Sequence, residues 1–409
     1  MPTRPIKTAV LGLGLGGLTF HIPFLLALPA HFTLHAVLER TPDPAQPKGK
    51  VAARFGAIAR DVRVYRTLAE VLGDGEVELV VVSTPSGMHC ELARRGLEAG
   101  KHAGSQQYIL LEAKTDSHAG TVLVDKPVTA TAAEARELAA LAKARGLVLY
   151  PYQNCRFNAD FLALRKLLAL PPDDPRSLGT LVEFESRYDR YRTTIRNSWK
   201  DVPAPANGLT YDLGSHLIDQ ALVLFGRPEK ITAFIENVRG VGSEEVDDCF
   251  TIFLRYPPRP AAVHTDVQPT SLTVILRSHI LSVRSPQLRY VVRGTTGTYT
   301  KFGIDVQEAQ LKAMASPTEI VDSPSYGREP EELWGTLENL AADGAVSRTT
   351  WSTSERGSYA ALFVNLAETI REGKAQVVKW EEASDVIEMI ELAYRSAREE
   401  RTVPVPPFA

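Results

Sequence analysis

Two short stretches combine residue types that can handle a substrate proton. In Tyr211-Asp212-Leu213-Gly214-Ser215-His216 a carboxylate and an imidazole stand four positions apart, so on a helix from Tyr211 to Leu224 they share one face. A carboxylate within reach of an imidazole fixes its tautomer and stabilises its protonated form, which suits His216 to act as general base and Asp212 to orient it. An isolated pair of this spacing is more often a surface polar pair. Here Leu213, Leu217, Ile218, Leu222 and Leu224 surround it with apolar residues, and buried polar groups require partners. The second stretch is Asp125-Lys126-Pro127, directly after the apolar run Val122-Leu123-Val124. A lysine before proline is commonly a solvated turn residue, but at the carboxyl end of a sheet strand it can hydrogen-bond a substrate hydroxyl.

A third element would supply the other reactant. Thr8-Ala9-Val10-Leu11 reads as a strand and Gly16 to Leu28 as a helix, with Gly12-Leu13-Gly14-Leu15-Gly16-Gly17 between them. Gly12, Gly14 and Gly17 fill a G-x-G-x-x-G pattern in the strand–turn–helix context that gives it meaning. The glycines allow a tight turn, close approach of backbone to a pyrophosphate, and close packing of helix on strand. Gly12, Leu13, Gly14 and Gly17 are thus expected to hold a dinucleotide, NAD or NADP. The second strand, Leu34 to Leu38, runs into Glu39 and Arg40. Glu39 stands where a carboxylate would take the ribose hydroxyls of NAD, whereas Arg40 could pair with the 2′-phosphate of NADP. The two neighbours pull in opposite directions. A positively charged nicotinamide beside Lys126 would lower the lysine pKa toward useful values.

The elements needed to carry these groups form two series. Up to about residue 151, short apolar runs alternate with helical patterns, as in a parallel sheet with crossover helices. Leu79-Val80-Val81-Val82 has the continuous apolar character of a strand buried on both faces. Met88 to Ala99 reads as a helix. Another is opened by the capping box Thr131-Ala132-Ala133-Glu134, closed by Gly146 and followed by a strand at Leu147 to Tyr150. From residue 152 the pattern becomes a run of strands: Leu181 to Phe184, Lys230 to Ile235, Phe250 to Leu254, Leu272 to Leu276 and Leu288 to Val292. A long helix over Glu381 to Glu400 ends the series. The expected fold class is α/β: a Rossmann dinucleotide-binding domain over 1–151, then an α+β domain over 152–409 with a large, mostly antiparallel sheet.

Composition bounds the rest. A chain of 409 residues is long enough for two cores. A net charge of -3 with interspersed signs argues against nucleic acid as partner. Cys90, Cys155 and Cys249 are too widely spaced for a metal site and suit a reducing compartment. The sequence shows neither a signal-peptide pattern nor an apolar run of membrane length, so a cytoplasmic protein is expected.

With these residues in view, the chain resembles the Gfo/Idh/MocA family of oxidoreductases almost from end to end. The matching motifs are Gly12 to Gly17, Ser83-Thr84-Pro85 with His89, Asp125-Lys126-Pro127 and Tyr211 to His216. Within the family it is most similar to NADP-dependent scyllo-inositol dehydrogenases, through Asp160-Phe161, Asp189-Arg190-Tyr191-Arg192, Gly208 to Gln220, Lys301 to Asp305 and Gly357-Ser358-Tyr359. The resemblance implies a substrate domain whose open sheet mediates a homodimer or homotetramer. It also implies cofactor contacts from Thr84, Pro85, His89 and Lys126, and hydride exchange between the nicotinamide and a secondary alcohol of a cyclic polyol or sugar. His216 would take the hydroxyl proton and Lys126 would polarise the same oxygen. Tyr152, Asn154, Arg156, Arg190, Tyr191, Arg192 and Trp199 offer the amide and guanidinium donors and the aromatic wall that a hydroxyl-rich ligand requires, and are expected to line the polyol site.

The chain departs from its relatives in three places. Asp125 stands where the family usually has Glu. Asn154-Cys155-Arg156-Phe157-Asn158 replaces Asn-Arg-Arg-Trp-Asp. Residues 103–121 interrupt an otherwise continuous pattern, either as a surface loop or as a translated intron. Competing readings are a non-catalytic dinucleotide-binding sensor or co-repressor, an NAD-dependent glycosidase, and a dihydrodiol dehydrogenase. His21, His31, His35, His264 and His279 read as ordinary histidines.

Overall fold

The computed structural model describes residues 4–41, 44–46, 49–100, 121–259, 270–341 and 343–407. Of the segment read as an insert, only Thr121 belongs to the described residues, as does every histidine named above except His264. The chain forms two compact units: Met1–Asn154 with Gln307–Tyr326 and Ser358–Ser384, and Cys155–Val306 with Gly327–Gly357 and Asp385–Ala409.

The first unit is built on six parallel strands: β1 (Ile6–Leu11), β2 (Phe32–Leu38), β3 (Arg63–Tyr65), β4 (Leu79–Val82), β5 (Thr121–Asp125) and β6 (Leu149–Tyr152), in the order β3-β2-β1-β4-β5-β6. Strand order therefore reverses direction at β1/β4, and ligands of such sheets bind outside the carboxyl ends at that switch point. β4 is buried along its whole length, as its unbroken apolar run predicts. The helices are α1 (Ile22–Ala27), α2 (Gly49–Phe55), α3 (Leu68–Gly73), α4 (His89–Ala99) and α5 (Ala132–Arg145). The expected capping box on α5 is present in both directions, Glu134 N–H to Thr131 Oγ1 at 3.2 Å and Thr131 N–H to Glu134 Oε2 at 3.1 Å. Gly146 closes this helix at φ +64°. Leu147 N–H then still bonds back to Ala142 O, so the following strand starts at Leu149 rather than Leu147.

Chain segments from beyond residue 300 complete this unit. Phe363 stacks on Phe24 at 5.0 Å, Asn365 Oδ1 accepts from the Tyr150 hydroxyl at 2.6 Å, and Trp380 Nε1 donates to Ala135 O at 2.8 Å. The sequence pattern placed all of 152–409 in the second domain, because an amphipathic helix does not state which sheet it covers.

The second unit carries nine strands: β7 (Leu181–Arg187), β8 (Lys230–Glu236), β9 (Cys249–Arg259), β10 (Thr270–His279), β11 (Leu288–Gly294), β12 (Gly297–Phe302), β13 (Gly335–Leu340), β14 (Val346–Trp351) and β15 (Val403–Pro404). Their order is β14-β13-β12-β11-β7-β10-β9-β8-β15, and among the described residues only the β7–β10 pair of this sheet is parallel. The helices α6 (Ala159–Leu168) and α7 (Ser215–Phe225) belong to this unit. Phe225 of α7 packs at 5.1 Å on Phe184 and 5.8 Å on Tyr256, which seats the helix on the sheet. The remaining helices are α8 (Gln307–Ala313), α9 (Glu319–Asp322), α10 (Tyr359–Glu372) and α11 (Trp380–Arg398). Among the described residues no helix is long and apolar enough to cross a membrane.

Candidate active site

The glycine loop follows β1 at the switch point. Gly12 has φ +105°, and a Cβ there would lie 2.2 Å from Ser83 O, while one on Gly17 would lie 2.0 Å from Gly12 O. Both positions therefore require glycine, the first for the turn and the last for packing helix onto strand. Around Gly14 nothing lies within 4 Å of an added Cβ, which leaves the approach that a pyrophosphate needs. The helix after the loop opens with a π-helical turn, Gly16–His21, before α1. These residues fit a dinucleotide.

At the end of β2 the two neighbours diverge. Glu39 is buried, with Oε1 accepting from Lys50 N–H at 3.3 Å and Oε2 3.5 Å from Arg66 Nη1. Arg66 also donates to Glu39 O at 2.7 Å. Gly49, at φ +84°, lets this carboxylate sit against the start of α2, since a Cβ there would be 2.8 Å from Oε2. Arg40 and Thr41 are exposed.

Beside the glycine loop, Asp125 Oδ2 meets His21 Nε2 at 3.1 Å and accepts from Ser83 Oγ at 3.0 Å, and its Oδ1 accepts from the backbone N–H of Lys126 at 2.8 Å. Burial would raise the Asp125 pKa. The nearby His21, His89 and Lys126 charges and the His21 hydrogen bond outweigh it and hold the carboxyl well below the usual range. His21 is fully buried, its ring 4.5 Å from that of Tyr152. It is therefore not an ordinary histidine, and the sequence gives no local sign of it because its partner lies 104 residues away. His89 joins the two loops that flank the sheet end, with Nδ1 2.7 Å from Pro127 O and Nε2 2.9 Å from Thr84 O. Burial pushes its pKa down, against Asp125 and the two carbonyls. The Lys126–Pro127 peptide is cis.

In the second unit the Asp212–His216 stretch is not one plain α-helix. Thr210–Gly214 is a π-helical turn and α7 starts at Ser215, so the pair straddles the join. Such insertions mark functional sites often enough to be informative. The turn is clamped by Asp247, whose Oδ2 accepts from Thr210 N–H and Oγ1, both at 2.8 Å, and whose Oδ1 accepts from the Tyr394 hydroxyl at 2.5 Å. Gly208 sits at φ +97° with its would-be Cβ 2.0 Å from that carboxylate, so no other residue fits there. Asp212 Oδ2 accepts from Lys200 Nζ at 2.8 Å. His216 is 7% exposed and faces the Tyr188 ring at 6.4 Å.

The residues read as lining a polyol site are distributed differently. The Tyr152 hydroxyl donates to Phe20 O at 2.9 Å, within the first unit. Asn154 is buried at the end of that unit. Arg156 forms a two-point pair with Asp219, Nε to Oδ2 at 2.9 Å and Nη2 to Oδ1 at 2.6 Å. Arg190 lies 5.4 Å over the Tyr188 ring, and Tyr191 is 58% exposed. Local spacing does not single out a further set of polar groups that hold α7. Gln220 donates to Cys155 O and accepts from Arg289 and Tyr290, while Arg289 pairs with Asp160 at 2.8 Å. Their signal was the polar stripe continuing one turn past His216, through Asp219 and Gln220.

Family profiles settle the kinship of this arrangement. One described as "Oxidoreductase family, NAD-binding Rossmann fold" matches residues 6–103, and one described as "Oxidoreductase family, C-terminal alpha/beta domain" matches 174–405. The chain belongs to the Gfo/Idh/MocA oxidoreductase family. An uncharacterized oxidoreductase of Schizosaccharomyces pombe is 38% identical over 98% of this chain and 99% of its own length. The scyllo-inositol 2-dehydrogenase (NADP(+)) IolW of Bacillus subtilis is 33% identical over 97% of this chain and 95% of its own. Among solved structures, the putative oxidoreductase yvaA of Bacillus subtilis superposes with a TM-score of 0.80 at 31% identity, covering 99% of both chains.

Proposed function

We propose that this Gfo/Idh/MocA protein is an NADP-dependent dehydrogenase acting on a secondary alcohol of a cyclic polyol or sugar. The observation that carries the cofactor choice is the state of Glu39: its carboxylate is buried against Lys50 N–H and Arg66 while Arg40 stands exposed beside it. A guanidinium at that position suits a 2′-phosphate. The 33% identity to the Bacillus subtilis scyllo-inositol 2-dehydrogenase (NADP(+)) supports both cofactor and substrate class.

The bound nicotinamide would supply the hydride acceptor. In this reading Gly12, Leu13, Gly14 and Gly17, with Thr84 and Pro85, receive the dinucleotide. His89 holds the Thr84 and Pro127 backbones in register. Asp125 fixes the backbone of Lys126, whose ammonium polarises the substrate oxygen. His216 takes the hydroxyl proton and Asp212 supports the imidazolium that results.

The nine-stranded sheet leaves Phe234, Leu340 and Val346 at 60%, 56% and 69% exposure, and a homo-oligomer through this face is part of the proposal. Reduction of NADP by a panel of inositols and aldoses tests the reading. Turnover supports it, and dinucleotide binding without any turnover favours a sensor instead.

A further inference from the structure

Next to the Asp212–His216 stretch, the chain after β7 carries an unusual density of guanidinium groups. Its backbone continues as an extended segment, with the N–H groups of Tyr188, Arg190 and Arg192 bonding to the carbonyls of Arg277, His279 and Ile280. Alternation along such a segment puts Tyr188 and Arg190 on one side, and the one-residue step from His279 to Ile280 shifts the register at Arg192. The contacts agree: Tyr188 faces His216 at 6.4 Å on that side and carries Arg190 over its ring at 5.4 Å. A guanidinium thus lies on the ring that faces the imidazole proposed as base, and Arg192 is close enough to Arg190 to feel its charge.

Charge in this region is not balanced. Asp212 is taken by Lys200 at 2.8 Å, and Asp248 by Arg239 at 2.5 Å. Asp201 accepts from the N–H groups of Arg196 and Ser198 at 3.1 and 2.9 Å. Asp189 accepts from His279 N–H at 2.9 Å and lies 3.6 Å from Arg187. Arg192 is left over. It is half-buried, and among the described residues its side chain has neither a hydrogen bond nor an ion pair; its Nε is shielded from solvent as well. Burial lowers its pKa, and the like charges of Arg196, Arg239 and Arg190 lower it further, outweighing Asp201. A cation held among cations, with an inward donor unused, is the arrangement expected where an anion completes the set.

We infer that Arg192, with Arg190 and Arg196, forms an oxyanion subsite beside His216, so that the preferred substrate is an acidic polyol or sugar carrying a carboxylate or phosphate rather than a neutral one. The inference rests on the dehydrogenase reading for its chemistry but not for its binding. A guanidinium presents two parallel donors that match two oxygens of a carboxylate or phosphate, which fixes orientation as well as charge. Anchored there, the acid group would leave a ring or chain hydroxyl to be presented to His216.

The test pairs binding with turnover on the intact protein. Glucose, glucuronate and glucose 6-phosphate are compared by calorimetry without cofactor and by NADP reduction, for the wild type and for Arg192→Gln. The expected result is binding of one or both acidic sugars about 10-fold or more tighter than glucose, as loss of one charge-assisted contact implies. Arg192→Gln should bring that ratio close to one, and whichever acid binds better identifies carboxylate or phosphate as the group. Equal binding of all three sugars, or a preference for the acids that Arg192→Gln leaves intact, overturns the subsite. Acid binding lost in Arg192→Gln with no turnover of any sugar keeps the subsite and refutes the dehydrogenase reading. Turnover of glucose with no preference for the acids does the reverse.

Discussion

Replacing Arg40 by alanine tests the cofactor assignment at a single side chain. Arg40 is exposed at the end of β2, with no contact to the buried Glu39 carboxylate among those described, so its removal leaves the fold in place. A hydrogen bond from a guanidinium to a phosphate contributes about 1.5–3 kcal/mol. Exposure places this one near the lower end, which corresponds to about 10-fold in affinity. NAD lacks the 2′-phosphate and has nothing to lose. Fluorescence titration of NADPH and NADH, backed by KM values for NADP and NAD, should therefore show NADPH binding weakened about 10-fold and NADH binding unchanged. Arg66→Ala is the complementary change. It removes the 3.5 Å pairing to Glu39 Oε2 and the 2.7 Å bond to Glu39 O, freeing the carboxylate to meet ribose hydroxyls, and should improve NADH binding. Equal losses for both cofactors in Arg40→Ala, or NADH binding already tighter than NADPH in the wild type, would refute the reasoning.

Other outcomes follow from the same geometry. Arg156→Ala removes both hydrogen bonds to the buried Asp219 carboxylate, and breaking a buried ion pair costs about 3–5 kcal/mol; calorimetry should find Tm lowered by on the order of 10 °C, and an unchanged Tm would show that the pair does not hold α7. His21→Ala removes the charge and hydrogen bond that keep the Asp125 pKa low. A carboxyl with a depressed folded pKa contributes stability above its unfolded value near 4, lost as pH falls below it. The variant should thus be less stable at neutral pH and show a weaker fall in Tm below about pH 4; an acid limb identical to the wild type would contradict the pairing. Sedimentation should return an integer multiple of 44.9 kDa greater than one, and a monomer at micromolar concentration would remove the sheet face as an interface.

Much of the fold was legible because local chemistry and global structure agree. Gly12 and Gly17 occupy positions where a Cβ collides with backbone, and only glycine can answer that, so the loop was readable. The Thr131–Glu134 cap and the apolar β4 run carry equally local signatures. What was not legible depends on partners distant in sequence. His21 has no carboxylate near it in sequence, and its role comes from Asp125, 104 residues away. The orientation of Glu39 is decided by Lys50 and Arg66, not by its distance from the glycines. The π-helical turn before α7 is imposed by Asp247 from another strand edge, and no periodicity within 210–225 announces it. The helices that the first unit takes from beyond residue 300 have apolar faces that would suit either sheet.

The dehydrogenase reading is tested most directly by reduced-nicotinamide absorbance measured for the wild type, Lys126→Ala and His216→Ala with NADP and neutral and acidic polyols. It predicts turnover by the wild type and a kcat lower by about 100-fold or more in each variant, with NADPH binding retained in His216→Ala. Turnover near the wild-type rate in both variants, or a wild type that binds NADPH and oxidises none of the substrates, would contradict it.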